Sequence, residues 1–185
     1  HSLVDKPTLR AFLEMNVPAY TSAEELPHEP QRPNVYYSWH GNPHYEPCGD
    51  VLDELVGFFD NVETPADAAL VRAAFCTPAW GGLPGTRPAF AILAVDRGCG
   101  KSTLADAVAA LYGGAIAVDP SERGEDRLVS RLLAPSVLSR RVVVLDNVKS
   151  AKGSALIESL ITAPEISGHR MYQGEAQRLN FLTWI

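Results

Sequence analysis

Eight consecutive residues near the middle of the chain have the types that could hold a nucleotide phosphate: Asp96-Arg97-Gly98-Cys99-Gly100-Lys101-Ser102-Thr103. Glycines let successive backbone N–H groups curl around phosphate oxygens without clashes from Cβ atoms. Lys101 can reach the β- and γ-phosphates, the Ser102 hydroxyl can ligate Mg²⁺, and Thr103 is placed to contact the α-phosphate. We therefore expect ATP and Mg²⁺ to bind here, through Gly98, Cys99, Gly100, Lys101, Ser102 and Thr103.

This segment matches the P-loop pattern G-x-x-x-x-G-K-[ST] except at one position. Val95 stands where the pattern has its first glycine, which leaves the entry turn less permissive. The core Gly98-x-Gly100-Lys101-Ser102 is complete. The alternative is a chance G-K-S-T after an apolar run. The agreement of strand, loop and helix patterns around the segment favours a nucleotide site.

A second candidate site residue follows the most apolar run of the chain, Val142-Val143-Val144-Leu145. A carboxylate at the carboxyl end of a parallel strand lies beside the phosphate loop, where it can hold Mg²⁺ through water. Asp146 is therefore the Walker B candidate, unless it only turns the chain into the next loop. Asn147 stands where many ATPases carry a glutamate. An amide orients water but cannot accept a proton, so hydrolysis is slow or another carboxylate, Glu158 or Glu165, supplies the base.

The elements around these residues predict an α/β fold. Apolar runs at Phe90–Val95, Ala115–Val118, Val142–Leu145 and Phe181–Ile185 read as strands. Helices are expected at Ser102–Tyr112, Glu125–Leu133 and Ser154–Ile161. This alternation predicts a parallel sheet with helices on both faces, the three-layer P-loop NTPase architecture, over residues 87–185.

The first half of the chain has a different pattern. Residues 1–47 are rich in proline and aromatics with no helical period, and we expect an irregular N-terminal arm. Residues 48–86 read as a helical lead-in with helices at Asp50–Phe59 and Ala66–Cys76. The second of these helices is expected to turn four apolar side chains inward: Leu70, Val71, Ala74 and Phe75.

Charge and composition limit the possible partners. The net charge is −6, and residues 1–90 carry 5 basic and 12 acidic side chains, whereas residues 139–185 carry 6 and 4. Any DNA contact is therefore expected from the C-terminal third or from regions outside this sequence. No apolar run approaches the roughly 20 residues that span a bilayer, so we expect no membrane partner. The three scattered cysteines indicate a reducing compartment, the cytoplasm.

From about Arg87 onward the chain resembles the AAA+-like P-loop ATPases of phage and mobile-element primase-helicases. The matching stretches are Arg87–Phe90, Gly98–Thr103, Val144–Val148, Ile166–Gly174 and Asn180–Trp184. In that family the first glycine of the P-loop is often replaced by another residue, as it is here by Val95. An Asp-Asn pair also commonly follows the Walker B strand, as Asp146-Asn147 does here. The resemblance also implies a sensor residue after the last strand. Because the sequence stops at Ile185, we expect the ATPase core to be truncated at its C-terminus.

The resemblance implies a DNA motor that forms a homo-oligomeric ring. Arg170 matches a family arginine and is expected to act as a finger in a neighbour's site, unless it is a solvated turn residue. A hairpin within Ile166–Asn180 is expected to grip DNA, with arms at Met171-Tyr172 and Ala176–Leu179 and its cations on phosphates: His169, Arg170 and Arg178. The alternative is an ordinary surface hairpin or irregular loop.

Two other functions remain open from the sequence. A P-loop kinase would need a basic lid, which Arg123, Arg127 and Arg131 could form. A low-turnover nucleotide-binding switch is compatible with Asn147. The Asp146-Asn147 pair after its strand favours an ATPase over a kinase.

Overall fold

A computed structural model of the chain describes residues 5–16, 22–24, 35–37, 50–59, 62–93, 98–118, 125–146, 155–170 and 174–185. The chain divides into two compact units, residues 1–41 and residues 42–185.

The first unit contains a helix and a pair of short strands. Helix α1 spans Lys6–Asn16, and strands β1 (Ser22–Glu24) and β2 (Val35–Tyr37) pair in parallel. The irregular arm expected from the sequence therefore contains a regular helix. Local hydrogen bonds support it: the Thr8 N–H donates to the Asp5 carboxylate at 3.2 Å, and Arg10 pairs with Glu14 one turn away at 2.7 Å.

The second unit opens with two helices, α2 (Asp50–Gly57) and α3 (Pro65–Cys76), close to the predicted bounds. Helix α3 begins with a capping box, in which the Thr64 hydroxyl accepts the Asp67 N–H and the Asp67 carboxylate accepts the Thr64 N–H. Its buried stripe consists of Val71, Ala74 and Phe75. The prediction for Leu70 is wrong: its side chain is 59% exposed, because the stripe is narrow and Leu70 lies beyond its margin.

The chain is a mixed α/β protein whose centre is a small parallel sheet of three strands. In spatial order they are β3 (Ala115–Val118), β4 (Val142–Leu145) and β7 (Thr183–Trp184). Ala115 is in register with Val142, and Val142 with Thr183. Strands β3 and β4 have the bounds predicted from their apolar runs, whereas β7 is shorter than Phe181–Ile185.

Over its described residues, the apolar run before Gly98 does not form the buried strand that the sequence indicates. Ala89 forms one isolated parallel bridge with Trp184, and the Phe90 N–H donates to the Trp184 oxygen at 2.8 Å. No strand is assigned over 90–93, and Leu93 is 89% exposed. The reason is that β7 has two residues and offers a partner only to the beginning of the run. Val95 lies outside the described residues.

Alternate residues of the strands divide between two hydrophobic clusters, one on each face of the sheet. Val142 and Val144 face a cluster with helices α2, α3 and α4 (Lys101–Ala110). Val143 and Leu145 face the other cluster, which includes residues of α5 (Glu125–Leu132) and α6 (Ala155–Thr162). The period of two along each strand therefore places helices on both faces of the sheet.

Between α6 and β7 the chain forms an antiparallel hairpin of β5 (Glu165–Arg170) and β6 (Gly174–Leu179). Its first arm starts earlier than predicted, and Met171-Tyr172 and Gln173 lie outside the described residues. Ile166 is 1% exposed, and a Cβ on Gly168 would come within 2.5 Å of Val129 on α5. The inward face of the hairpin thus packs directly against α5.

None of the helices in the described ranges is long and apolar enough to cross a membrane.

Candidate nucleotide-binding site

The loop before α4 depends on two glycines with left-handed backbone angles. Gly98 has φ 81° and Gly100 has φ 83°. A Cβ at either position would meet nothing within 4 Å, so the requirement for glycine comes from backbone conformation and not from crowding. These two turns direct the chain around Cys99 and into the first residue of α4, Lys101.

The N-terminus of α4 presents the groups that a phosphate needs. The first intrahelical bond runs from the Leu104 N–H to the Gly100 oxygen at 2.9 Å. Residues before Leu104 have no carbonyl one turn earlier in the helix, so their N–H groups lie at its positive end. Ser102 and Thr103 are exposed and Lys101 is half-buried. Lys101 Nζ donates to Cys99 Sγ at 3.2 Å, which brings the ammonium group back across the loop.

Packing along α4 indicates which edge of the sheet the loop occupies. Leu104 and Val108 belong to the same cluster as Val142 and Val144, so the helix lies along the face of β4. At its other end the Gly114 N–H donates to the Ala109 oxygen, directly before β3 begins. The C-terminus of α4 is therefore at the amino edge of the parallel sheet, and its N-terminus faces the carboxyl edge.

Asp146 lies at that carboxyl edge. It follows the last residue of β4, its N–H donates to the Val118 oxygen at 3.3 Å, and its side chain is exposed. On the other side of β4, the Leu145 N–H donates to the Ile185 oxygen at 2.8 Å. Asp146 therefore lies at the edge of the sheet toward which the N-terminus of α4 points, the edge at which α/β proteins bind ligands.

One strand, β7, separates β4 from the Ala89–Phe90 segment that leads toward the loop. Neighbouring strands lie about 4.8 Å apart, so the two segments are roughly 10 Å apart across the sheet.

The other predicted site residues are not brought to this edge by any described contact. Asn147 and Arg123 lie outside the described residues. The backbone of Arg170 pairs with Gly174 at the end of the hairpin, but its side chain lies outside what the structure describes. Glu158 on α6 and Glu165 on β5 are both exposed. Neither has a described contact with the loop.

Arg178 has a structural position that the sequence analysis missed. Its guanidinium group donates to four backbone oxygens, those of Leu132, Val137, Leu138 and Arg140, at 3.0 to 3.3 Å. It therefore fastens β6 to the connection between α5 and β4, and its side chain is half-buried there. The period of two in β6 is the signal that could have indicated this, because Arg178 shares a face with Ala176 and Asn180.

Asn180 is a second residue with a larger role than the sequence indicates. It is 1% exposed, and its amide donates to the oxygens of Leu160 at 2.6 Å and Ala163 at 2.7 Å. Its backbone oxygen accepts the Gly85 N–H at 2.8 Å. Asn180 thus joins the end of α6, the segment before Ala89 and the start of β7.

Among the described residues no three His, Cys, Asp or Glu side chains are grouped so as to hold a metal ion by themselves. A nucleotide-bound Mg²⁺ needs no such group, because phosphate oxygens and waters supply most of its ligands.

No protein-family model, curated protein or solved structure matches the chain.

Proposed function

We propose that the chain binds ATP with Mg²⁺ through Gly98–Thr103 and hydrolyses it, as the ATPase domain of a DNA-processing motor of the primase-helicase type. The observation that carries the proposal is the turn of two left-handed glycines leading into α4, at the sheet edge where Asp146 follows β4. A P-loop NTPase architecture with helices on both faces of the sheet is part of the same proposal. The two hydrophobic clusters support it.

The donor set fits a magnesium nucleotide. The N-terminus of α4 and the Lys101 ammonium group suit phosphate oxygens, and the Ser102 hydroxyl and Asp146 carboxylate suit a hard cation. Bound Mg²⁺ would neutralise charge on the phosphates. The chain's own residues would hold the triphosphate in place, and Asn147 would orient the attacking water. Arg170 is proposed to act on a neighbouring subunit's site in a ring.

One observation favours hydrolysis over transfer to a small-molecule acceptor. A kinase lid needs mobile cations, but Arg131 donates to the Ala117 oxygen at 2.8 Å and is engaged in the fold. Arg127, another of the three arginines that could form such a lid, is exposed on α5.

The first experiment measures ATP binding by fluorescence of a labelled nucleotide and phosphate release by the full chain. Lys101→Ala should weaken Mg²⁺–ATP binding at least tenfold and abolish turnover, because the charge opposite the β- and γ-phosphates is lost. Lys6→Ala, which removes an exposed lysine from the first unit, is the matched control. Equal ATP affinity in wild type and Lys101→Ala would refute the site.

The second experiment adds single-stranded DNA to the hydrolysis assay. A DNA motor should be stimulated several-fold. Unstimulated slow hydrolysis with tight ATP binding would indicate a nucleotide-binding switch. Phosphate appearing on an added acceptor instead of in solution would indicate a kinase.

A further inference from the structure

The outer edge of the parallel sheet is the side of β3 that faces away from β4. Residues along a strand point their N–H and C=O groups alternately to the two sides. The Val118 oxygen accepts a bond from Asp146 on the β4 side. The backbone N–H and C=O groups of Ile116 therefore also point toward β4, and those of Ala115 and Ala117 point away from it. In the part of the chain that the structure describes, β3 pairs with β4 alone.

Both outward carbonyls are occupied by arginine side chains. Arg140 donates to the Ala115 oxygen at 2.5 Å and Arg131 donates to the Ala117 oxygen at 2.8 Å. The two arginines come from different elements, the connection before β4 and the last turn of α5. The Arg140 guanidinium also lies against the turn before β3, since its Cζ would be 3.9 Å from a Cβ on Gly114.

These contacts are placed where another strand would have to bind. An added strand forms its hydrogen bonds with outward carbonyl and N–H groups, so each arginine must leave before a strand can pair. A charged donor to a carbonyl forms a stronger bond than a neutral one, which raises the cost of that displacement. Each guanidinium group also adds a positive charge beside the edge, where a second copy would bring the same charges.

We propose that Arg131 and Arg140 close this edge of the sheet against pairing with a second copy of the chain. The strand they protect, Ala-Ile-Ala-Val, contains neither the charged residues nor the proline with which exposed sheet edges are commonly protected. Without the arginines, two β3 strands would pair across a twofold axis and join two sheets into one. The same contacts imply that a natural assembly of this chain uses a different surface.

The test is the molar mass of the double variant Arg131→Ala/Arg140→Ala, measured by light scattering over a wide range of concentrations. Its mass should rise to at least twice that of wild type at the same concentration. The control, Arg72→Ala/Arg127→Ala, removes the same charge from elsewhere in the second unit and should match wild type. A rise in the control as large as in the variant would assign the association to net charge and overturn the proposal.

A third variant locates the contact. Ala117 is exposed, so Ala117→Lys in the double variant should be tolerated and should return the mass to the wild-type value, because like charges would meet across the paired strands. Continued association would show that the copies meet elsewhere. If circular dichroism shows that the double variant is unfolded, the single variant Arg131→Ala replaces it, because it removes the arginine that donates to the Ala117 carbonyl. Its molar mass is then measured in the same way. A folded variant whose mass follows wild type at every concentration overturns the proposal.

Discussion

Lys101 Nζ donates to Cys99 Sγ at 3.2 Å, so the proposed phosphate-binding lysine and a thiol share one face of the loop. A nucleotide bound there would cover the thiol. Maleimide labelling of Cys99 should therefore slow at least tenfold when saturating Mg²⁺–ATP is added. Cys76, an exposed thiol at the end of α3, is the internal control and should label at the same rate in both conditions. Labelling of Cys99 that ATP leaves unchanged would mean that the triphosphate binds elsewhere.

Asp146→Asn should separate metal-dependent catalysis from nucleotide binding. The amide keeps the shape of the side chain but loses the charge that would hold hydrated Mg²⁺. Hydrolysis should fall by about 10²-fold or more, while nucleotide affinity in EDTA changes by less than about threefold. Asp106→Asn, an exposed carboxylate on α4, is the matched control. Full activity in Asp146→Asn would remove this residue from the site.

Asn180→Leu should destabilise the second unit strongly. It removes two donors from the carbonyls of Leu160 and Ala163 at a position that is 1% exposed. We expect the free energy of unfolding in urea to fall by about 2–4 kcal/mol. Gln177→Leu, an exposed position on the adjoining strand, should change it by less than about 0.5 kcal/mol. Equal stabilities of the two variants would show that the hydrogen bonds of the Asn180 side chain contribute nothing to stability.

Arg178→Ala should lower stability without changing the salt dependence of DNA binding. Its guanidinium group donates to four backbone oxygens at and after the end of α5, so its loss removes four hydrogen bonds from this part of the fold. We expect a loss of about 2–3 kcal/mol in urea unfolding, with Arg127→Ala as the charge control. A reduced salt slope for DNA binding with unchanged stability would instead restore Arg178 to the DNA-binding face.

Tyr112 makes the stability of the second unit fall at alkaline pH. Burial raises the pKa of its phenol to about 12, the Cys76 thiol adds to the rise, and Arg141 opposes it. The neutral phenol donates to the Phe75 oxygen at 2.5 Å. Because the folded-state pKa is raised, this contribution is complete below pH 10, the ordinary pKa of a tyrosine, and is lost as pH rises through about 12.

The measurement compares urea unfolding of wild type and Tyr112→Phe between pH 8 and pH 12. After allowance for solvent screening of a half-buried group, the wild type should lose about 1 kcal/mol more than the variant across this range. A difference between the two proteins that stays constant with pH would contradict the assignment.

The sequence predicts those features of the fold that depend on neighbouring residues better than those that depend on partners far along the chain. The bounds of β3 and β4 follow from short apolar runs between turn residues, and the start of α4 follows from the glycines before Lys101. Other features depend on partners far along the chain. Phe90–Val95 looks like a buried strand, but its pairing is limited by the length of β7. Arg178 looks like a surface cation until its alternation with Gln177 and Leu179 is considered.

The candidate site shows the same division. Its loop and its acidic residue are visible in the sequence because each is a short motif. Their common edge depends on α4 returning along β4, which no single motif specifies. The arginines at the edge of β3 have no motif, since their role is set by which carbonyls remain outward once the strands have paired.

The bridge between Ala89 and Trp184 has a consequence for how the protein folds. These residues are far apart in sequence, so their pairing closes a long loop and carries a large entropic cost before any contact repays it. The helices and the β3–β4 pair can form from nearer contacts. The Ala89–Phe90 segment is therefore expected to be fixed late. A chain that has not yet added β7 would hold the β3–β4 pair and its helices while Ala89 and Phe90 have no partner strand.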